Sequence, residues 1–137
     1  MRYFDVEGWR GIGQTLPGNV TEADAEATVK LTAAGERTIA TGEGNGPVNA
    51  LDHALRKALL GFYPEIERFE LIDFKVRIMD TAHGTDAITR VLIETFDAGA
   101  ETTWRTVGVG PNVIEASWEA LVDSIVYGLL RAGINPL

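Results

Sequence analysis

Apolar positions alternate with polar ones over several short stretches, and recur every three or four residues over two longer ones. Arg2 to Gln14 reads as an extended lead-in carrying Tyr3, Phe4, Val6 and Trp9. Pro17-Gly18 marks a turn, and Ala27 to Ala34 alternates at Val29 and Leu31, which predicts a strand. "GERTIATGEG" is its hairpin partner, with Gly35 at the turn. From Pro47 to about Leu60 the period changes: Val48, Leu51, Leu55, Ala58 and Leu59 form a helical stripe. Asn49, Asp52, Arg56 and Lys57 fall off it, and Gly61 and Pro64 end the helix.

The pattern then repeats. Phe69 to Asp80 alternates Ile72, Phe74, Val76 and Ile78 with Asp73, Lys75, Arg77 and Met79. "TAHGTDA" turns, Ile88 to Phe96 returns as a strand, "DAGAET" turns again, and "TWRTVGVG" is a third strand. A helix from Pro111 to about Leu130 follows, with a stripe of Ile114, Trp118, Leu121, Val122, Ile125 and Leu129. Val113, Ala116, Ala120, Val126, Tyr127 and Leu130 widen that stripe. Deep burial accounts for the width, and so does contact with a second copy of the chain.

Shifting the chain by about 66 positions lays Gly42 on Gly108, Gly44 on Gly110, Ala50 on Ala116, Ala54 on Ala120 and Leu55 on Leu121. This period is too long for a solenoid. The expected fold is therefore α+β: two pseudo-symmetric β-β-β-α units, with both helices packed on antiparallel sheet. The repeats span about 2–62 and 66–132, within a single domain of 137 residues.

Composition narrows the function. Twelve Lys and Arg are scattered among twenty acids, a net charge of −8, which argues against a nucleic-acid partner and against acidic membrane surfaces. Cysteine is absent, so disulfides and thiolate metal sites are excluded and a reducing cytoplasm is expected. No apolar run approaches the ~20 residues of a membrane span, and "MRYFDVEGWRG" lacks the apolar core of a signal peptide.

Candidate chemistry is sparse. Gly42-Glu43-Gly44-Asn45-Gly46 joins a strand to a helix, but without the lysine and hydroxyl of a P-loop. Glycine there permits positive φ at a sharp turn, and the helix start offers N–H groups to a small carboxylate. The second helix start, Gly110 to Val113, repeats the arrangement. His53 and His83 lack metal-ligand spacing, and no cofactor or metal is expected. Ser117 and Ser124 stand outside any nucleophile elbow. Asp73, Asp80, Asp86 and Glu94 are expected as solvated strand charges, with Arg77 and Arg90 pairing acids across strands. No catalytic constellation emerges, which favours a binding or assembly module.

"EGNGPVNALDHALRKAL", "YPEIERFELIDFKVRI", "TRVLIET" and "VGVGPNVIEASWEALVDSIVYGL" resemble the C-terminal regulatory domain shared by citramalate synthase and α-isopropylmalate synthase. The resemblance runs from about Phe4 to Leu130 and is closest to the citramalate synthase branch at "IEASWEALVDSIVYGLL". It implies a homodimeric domain that binds an end-product amino acid near the subunit contact, isoleucine for the citramalate branch and leucine for the other. It also implies a metal-dependent (β/α)8 catalytic barrel as partner, condensing acetyl-CoA with pyruvate. This segment would then be catalytically silent.

Carried over by position, the resemblance implies effector contacts from Asn45, Gly46 and Val48 at the first helix start. Leu71, Phe74 and Ile78 follow from the strand "LIDFKVRI", and Pro111 and Val113 from the second helix start. Relatives often carry tyrosine where this chain has Phe74. An aliphatic cup of Val48, Leu71, Phe74 and Ile78 suits a branched side chain, and helix-start N–H groups suit its carboxylate. Three readings stand open: an effector-binding dimerisation domain, an α+β enzyme with its own carboxylate site, and a pure dimerisation module.

Overall fold

The computed structural model describes residues 3–13, 25–79 and 88–137. The turn at Pro17-Gly18, the "TAHGTDA" turn, His83, Asp80 and Asp86 lie outside them. The chain divides into two compact units, Met1–Ile66 with Asn135–Leu137, and Glu67–Ile134. The last three residues group with the first unit, where the Leu137 N–H donates to the Tyr63 hydroxyl at 3.2 Å.

The first unit holds β1 (Asp5–Gly13), β2 (Ala25–Ala33), β3 (Glu36–Gly44) and α1 (Pro47–Leu59). The second holds β4 (Phe69–Met79), β5 (Ile88–Asp97), β6 (Thr102–Gly110) and α2 (Val113–Arg131). Each sheet is antiparallel, in the order β1-β2-β3 and β4-β5-β6. Both units are thus β-β-β-α, an α+β fold. The β2–β3 hairpin turns on Ala34 and Gly35, both at positive φ, as a two-residue primed turn requires.

The units match register for register. Ala27 pairs with Gly11 and Gly42, as Val91 pairs with Val76 and Gly108. Val29 lies between Trp9 and Ala40, as Ile93 lies between Phe74 and Thr106. Even the irregularities coincide: a register shift falls at Glu7 in β1 and at Ile72 in β4.

Each helix covers the central strand and the strand leading into it, and barely reaches the first strand of its sheet. Val29, Leu31, Leu51, Leu55 and Leu59 fill the first core, sealed by Tyr63, whose hydroxyl donates to the Tyr3 carbonyl at 2.7 Å. Ile93, Phe69, Trp104, Leu121, Ile125 and Leu129 fill the second.

Three expectations change. The paired glycines do not serve positive φ: among described glycines only Gly35 and Gly133 adopt it. They serve close approach. A Cβ on Gly42 would stand 2.8 Å from the Ala50 carbonyl oxygen, and one on Gly108 would stand 2.8 Å from the Ala120 backbone nitrogen. Helix backbone therefore lies directly on strand backbone, which explains why alanines recur opposite the glycines.

Next, Asp52 is buried, because Arg56 one helical turn later donates to it at 2.8 Å. Finally, the buried stripe of α2 is Ala116, Ser117, Ala120, Leu121, Ser124, Ile125, Gly128 and Leu129. The expected stripe members Ile114, Trp118 and Val122 are only half-buried. Close helix–strand contact places the small residues Ala116, Ala120, Ser124 and Gly128 inward, alongside Leu121, Ile125 and Leu129.

A buried charge closes one end of the second sheet. Asp97 is 0% exposed and accepts from Arg68 and Arg131, and its Oδ1 accepts from the Gly99 N–H at 2.8 Å. Arg131 also sits 5.2 Å above the Trp104 ring.

Candidate functional site

The clearest unused surface lies on β4. Strict alternation would put Leu71 and Phe74 on opposite faces of the strand. The shift at Ile72 inserts one residue, so Leu71 pairs with Thr95, Phe74 with Ile93 and Ile78 with Thr89. All three β5 partners are buried beneath α2. Leu71, Phe74, Val76 and Ile78 therefore share the helix-side face of the sheet, at the strand the helix leaves uncovered. Leu71 is half-buried, Phe74 is 39% exposed and Ile78 is 65% exposed.

Pro111 and Val113 belong to the same end of this unit. Ile78, Thr89 and Gly110 form one cross-strand row, and the chain passes from Gly110 into α2. Pro111 is exposed and Val113 half-buried. The structure thus gathers Leu71, Phe74 and Ile78 on one face and sets Pro111 and Val113 beside its Ile78 end.

Asn45, Gly46 and Val48 gather in the first unit, at the start of α1. Gly46 is an extended N-cap residue, Pro47 follows, and no side chain caps the helix. With no acid in its first turn, this helix start keeps its partial positive charge for an anion. Asn45 is exposed, but Val48 is only 3% exposed and packs in the core of its own unit. Its side chain is therefore not available as an open cup wall.

The two helix starts differ, contrary to the twin arrangement expected. Asn112 accepts from the Glu115 N–H at 2.9 Å, so α2 carries a side-chain cap and an acid in its first turn. The spacing Asn112-x-x-Glu115 was legible as a capping pattern and points to a structural role here.

Ser124 and His53, two of the polar side chains with candidate chemistry, are engaged structurally. Ser124 is engaged by Thr95 and by the Trp104 indole N–H inside the helix–sheet core. His53 is exposed, and its Nδ1 donates to the Glu43 carbonyl at 2.6 Å. Among the described residues, no group of three His, Asp or Glu could hold a metal ion. Among the described residues Arg77 and Arg90 have no ion-pair partner; they stand directly opposite each other. Asp73 likewise faces Glu94, and Glu94 accepts from Arg105 at 2.8 Å.

The family model described as the LeuA allosteric (dimerisation) domain matches residues 18–129. The chain belongs to this family. Among curated relatives, an (R)-citramalate synthase of Streptomyces coelicolor is 57% identical over 136 residues, 99% of this chain and 25% of its own length. An (R)-citramalate synthase of Synechocystis is 52% identical over 81% of this chain and 20% of its own. A 2-isopropylmalate synthase of Aquifex aeolicus is 34% identical over 77% of this chain and 18% of its own. This LeuA domain thus spans a quarter or less of the length of the relatives it matches. No helix among the described residues is long and apolar enough to cross a membrane.

Proposed function

We propose that this LeuA domain is the effector-binding regulatory domain of a citramalate synthase, working in the cytoplasm as a homodimer beside a catalytic barrel. Its effector is the end-product isoleucine. The 57% identity to a citramalate synthase over nearly the whole chain carries this reading, against 34% to an isopropylmalate synthase. The uncovered apolar face of β4 supports it in physical terms.

A branched aliphatic side chain needs a compact apolar wall, which Leu71, Phe74 and Ile78 offer. Withdrawing such a side chain from water contributes roughly 1.5–3 kcal/mol. The first unit offers helix-start N–H groups suited to a carboxylate at Asn45, Gly46 and Val48, and the second unit adds Pro111 and Val113 at the end of its own apolar face. Feedback inhibition requires the effector to favour the inhibited arrangement of the enzyme over the active one. A receptor shared between subunits meets that requirement, because subunit rotation alters both halves.

Calorimetric titration with isoleucine, leucine and valine tests the proposal. Preferential binding of isoleucine supports it, whereas preference for leucine would transfer the domain to the isopropylmalate branch. Silence toward all three in a stable dimer would leave a dimerisation module alone. Ile78→Glu should abolish effector binding by placing a charge on the apolar wall; unchanged affinity would mean that β4 is not that wall.

A further inference from the structure

The face of the second sheet opposite α2 carries an open basin of about 680 Å³, within the range of small-ligand sites. Its rows follow from the strand register. Arg77 stands opposite Arg90, Lys75 opposite Leu92, and Asp73 opposite Glu94. Arg105, next to Glu94 on the other side, is held by it in an ion pair. Lys75, Arg77 and Arg90 are exposed, and among the described residues none of the three has an ion-pair partner.

Such an arrangement opposes folding. Directly opposed residues in an antiparallel pair hold their Cβ atoms about 5 Å apart, where like charges destabilise the sheet. The chain carries twenty acids against twelve bases, yet Arg77 and Arg90 are left facing each other. The repeat shows that the shared fold does not demand it. At the register position of Arg90 the first unit has Glu26, and at that of Arg77 it has Ile12.

We infer that this basin is a binding site for a small di- or polyanion bearing phosphate or carboxylate groups. Two guanidinium groups at this spacing can each present paired N–H donors to one anionic group from either side. Lys75 adds a point charge in the neighbouring row of the same face, and Leu92 opposite it supplies an apolar floor. Binding removes the Arg77–Arg90 repulsion, so ligand affinity and relief of the fold act together. The site is separate from the β4 face assigned to the amino-acid effector, because it lies on the opposite side of the sheet.

Titrating the full chain with pyrophosphate and, in a second arm, malonate tests the inference and separates phosphate from carboxylate chemistry. At low ionic strength saturable binding is expected with Kd below about 1 mM for at least one of them. Arg77→Gln and Arg90→Gln should each weaken it about tenfold, the loss of a charge-assisted contact. The double variant should lose binding altogether and melt no lower than the parent without ligand. Pyrophosphate or malonate should raise the melting temperature of the parent and not of the double variant. If either single variant fails to fold, Lys75→Gln serves in its place with the same direction of effect. The inference is overturned if neither anion binds saturably by about 10 mM, or if binding survives in the double variant. Isoleucine titration of the double variant keeps the two sites distinct, since its affinity should be unchanged whichever way the anion result falls.

Discussion

Gly108→Ala adds one methyl group at the tightest contact between α2 and its sheet. The new Cβ would stand 2.8 Å from the Ala120 nitrogen and 2.9 Å from the Ala116 carbonyl carbon, and it would overlap the Ala116 carbonyl oxygen. Ordinary carbon contacts begin near 3.5 Å, so the helix must lift by at least ~0.6 Å. Every obstructing atom is helix backbone, so no rotamer change relieves the clash. Lifting α2 would loosen Leu121, Ile125 and Leu129 as well, all fully buried along the same face. Overpacking of a core costs about 1–3 kcal/mol where side chains can adjust; with rigid backbone on both sides, about 3 kcal/mol or more is expected.

Urea denaturation, followed by circular dichroism and the fluorescence of buried Trp104, measures this directly. At an m-value of about 1–3 kcal/mol/M, the midpoint should fall by about 1–3 M. Gly61→Ala is the control. Nothing lies within 4 Å of its Cβ position, and its φ is not positive, so the change should be neutral or slightly stabilising. Shrinking Ala116 to glycine should not rescue Gly108→Ala, because the collision is with the carbonyl and not the methyl group. A Gly108→Ala variant within about 0.5 kcal/mol of the parent would refute the claim that the duplicated glycines exist for backbone contact.

Other substitutions probe the remaining features. Asp97→Ala should cost about 3–5 kcal/mol in thermal or chemical denaturation, because it strands Arg131 and the Gly99 N–H at a closed end of the sheet. Ser124→Ala should cost about 1–3 kcal/mol, since the Thr95 hydroxyl loses its buried partner. Asp123 on α2 has its pKa raised above 3.8, first by partial burial and then by the charge of Glu119 one turn earlier. A raised carboxylate pKa means the charged form costs stability above the folded-state value, and that cost vanishes below pH 3.8. Asp123→Asn should therefore stabilise by about 0.2–0.5 kcal/mol at neutral pH, the size of a like-charge pair one helical turn apart. The gain should shrink to nothing as denaturation curves are taken down through that window.

Much of the architecture was legible in the chain. Period-two alternation located the β4–β5 hairpin, and helical spacing located α1 within a residue of its observed end. The repeat was visible because glycine and alanine recur in step. Its cause was not visible, since a glycine needed for contact and one needed for positive φ are the same letter. The Ile72 irregularity was equally hidden: it depends on how β4 registers against β5, and regular alternation had set Leu71 apart from Phe74. The burial of Asp52 could have been read from Arg56 four residues on. The candidate effector wall came from resemblance, because exposed apolar residues on a strand carry no mark of what they meet.

The inward face of α2 has a consequence for how this domain can change over time. Its contact with its own sheet rests on Ala116, Ala120, Ser124 and Gly128, whereas Val122, Val126 and Leu130 face outward. Mutations at the outward positions leave the helix–strand seam untouched. The letters that hold the seam and the letters that shape the outer surface of this helix are therefore different, and the second set can vary without weakening the first.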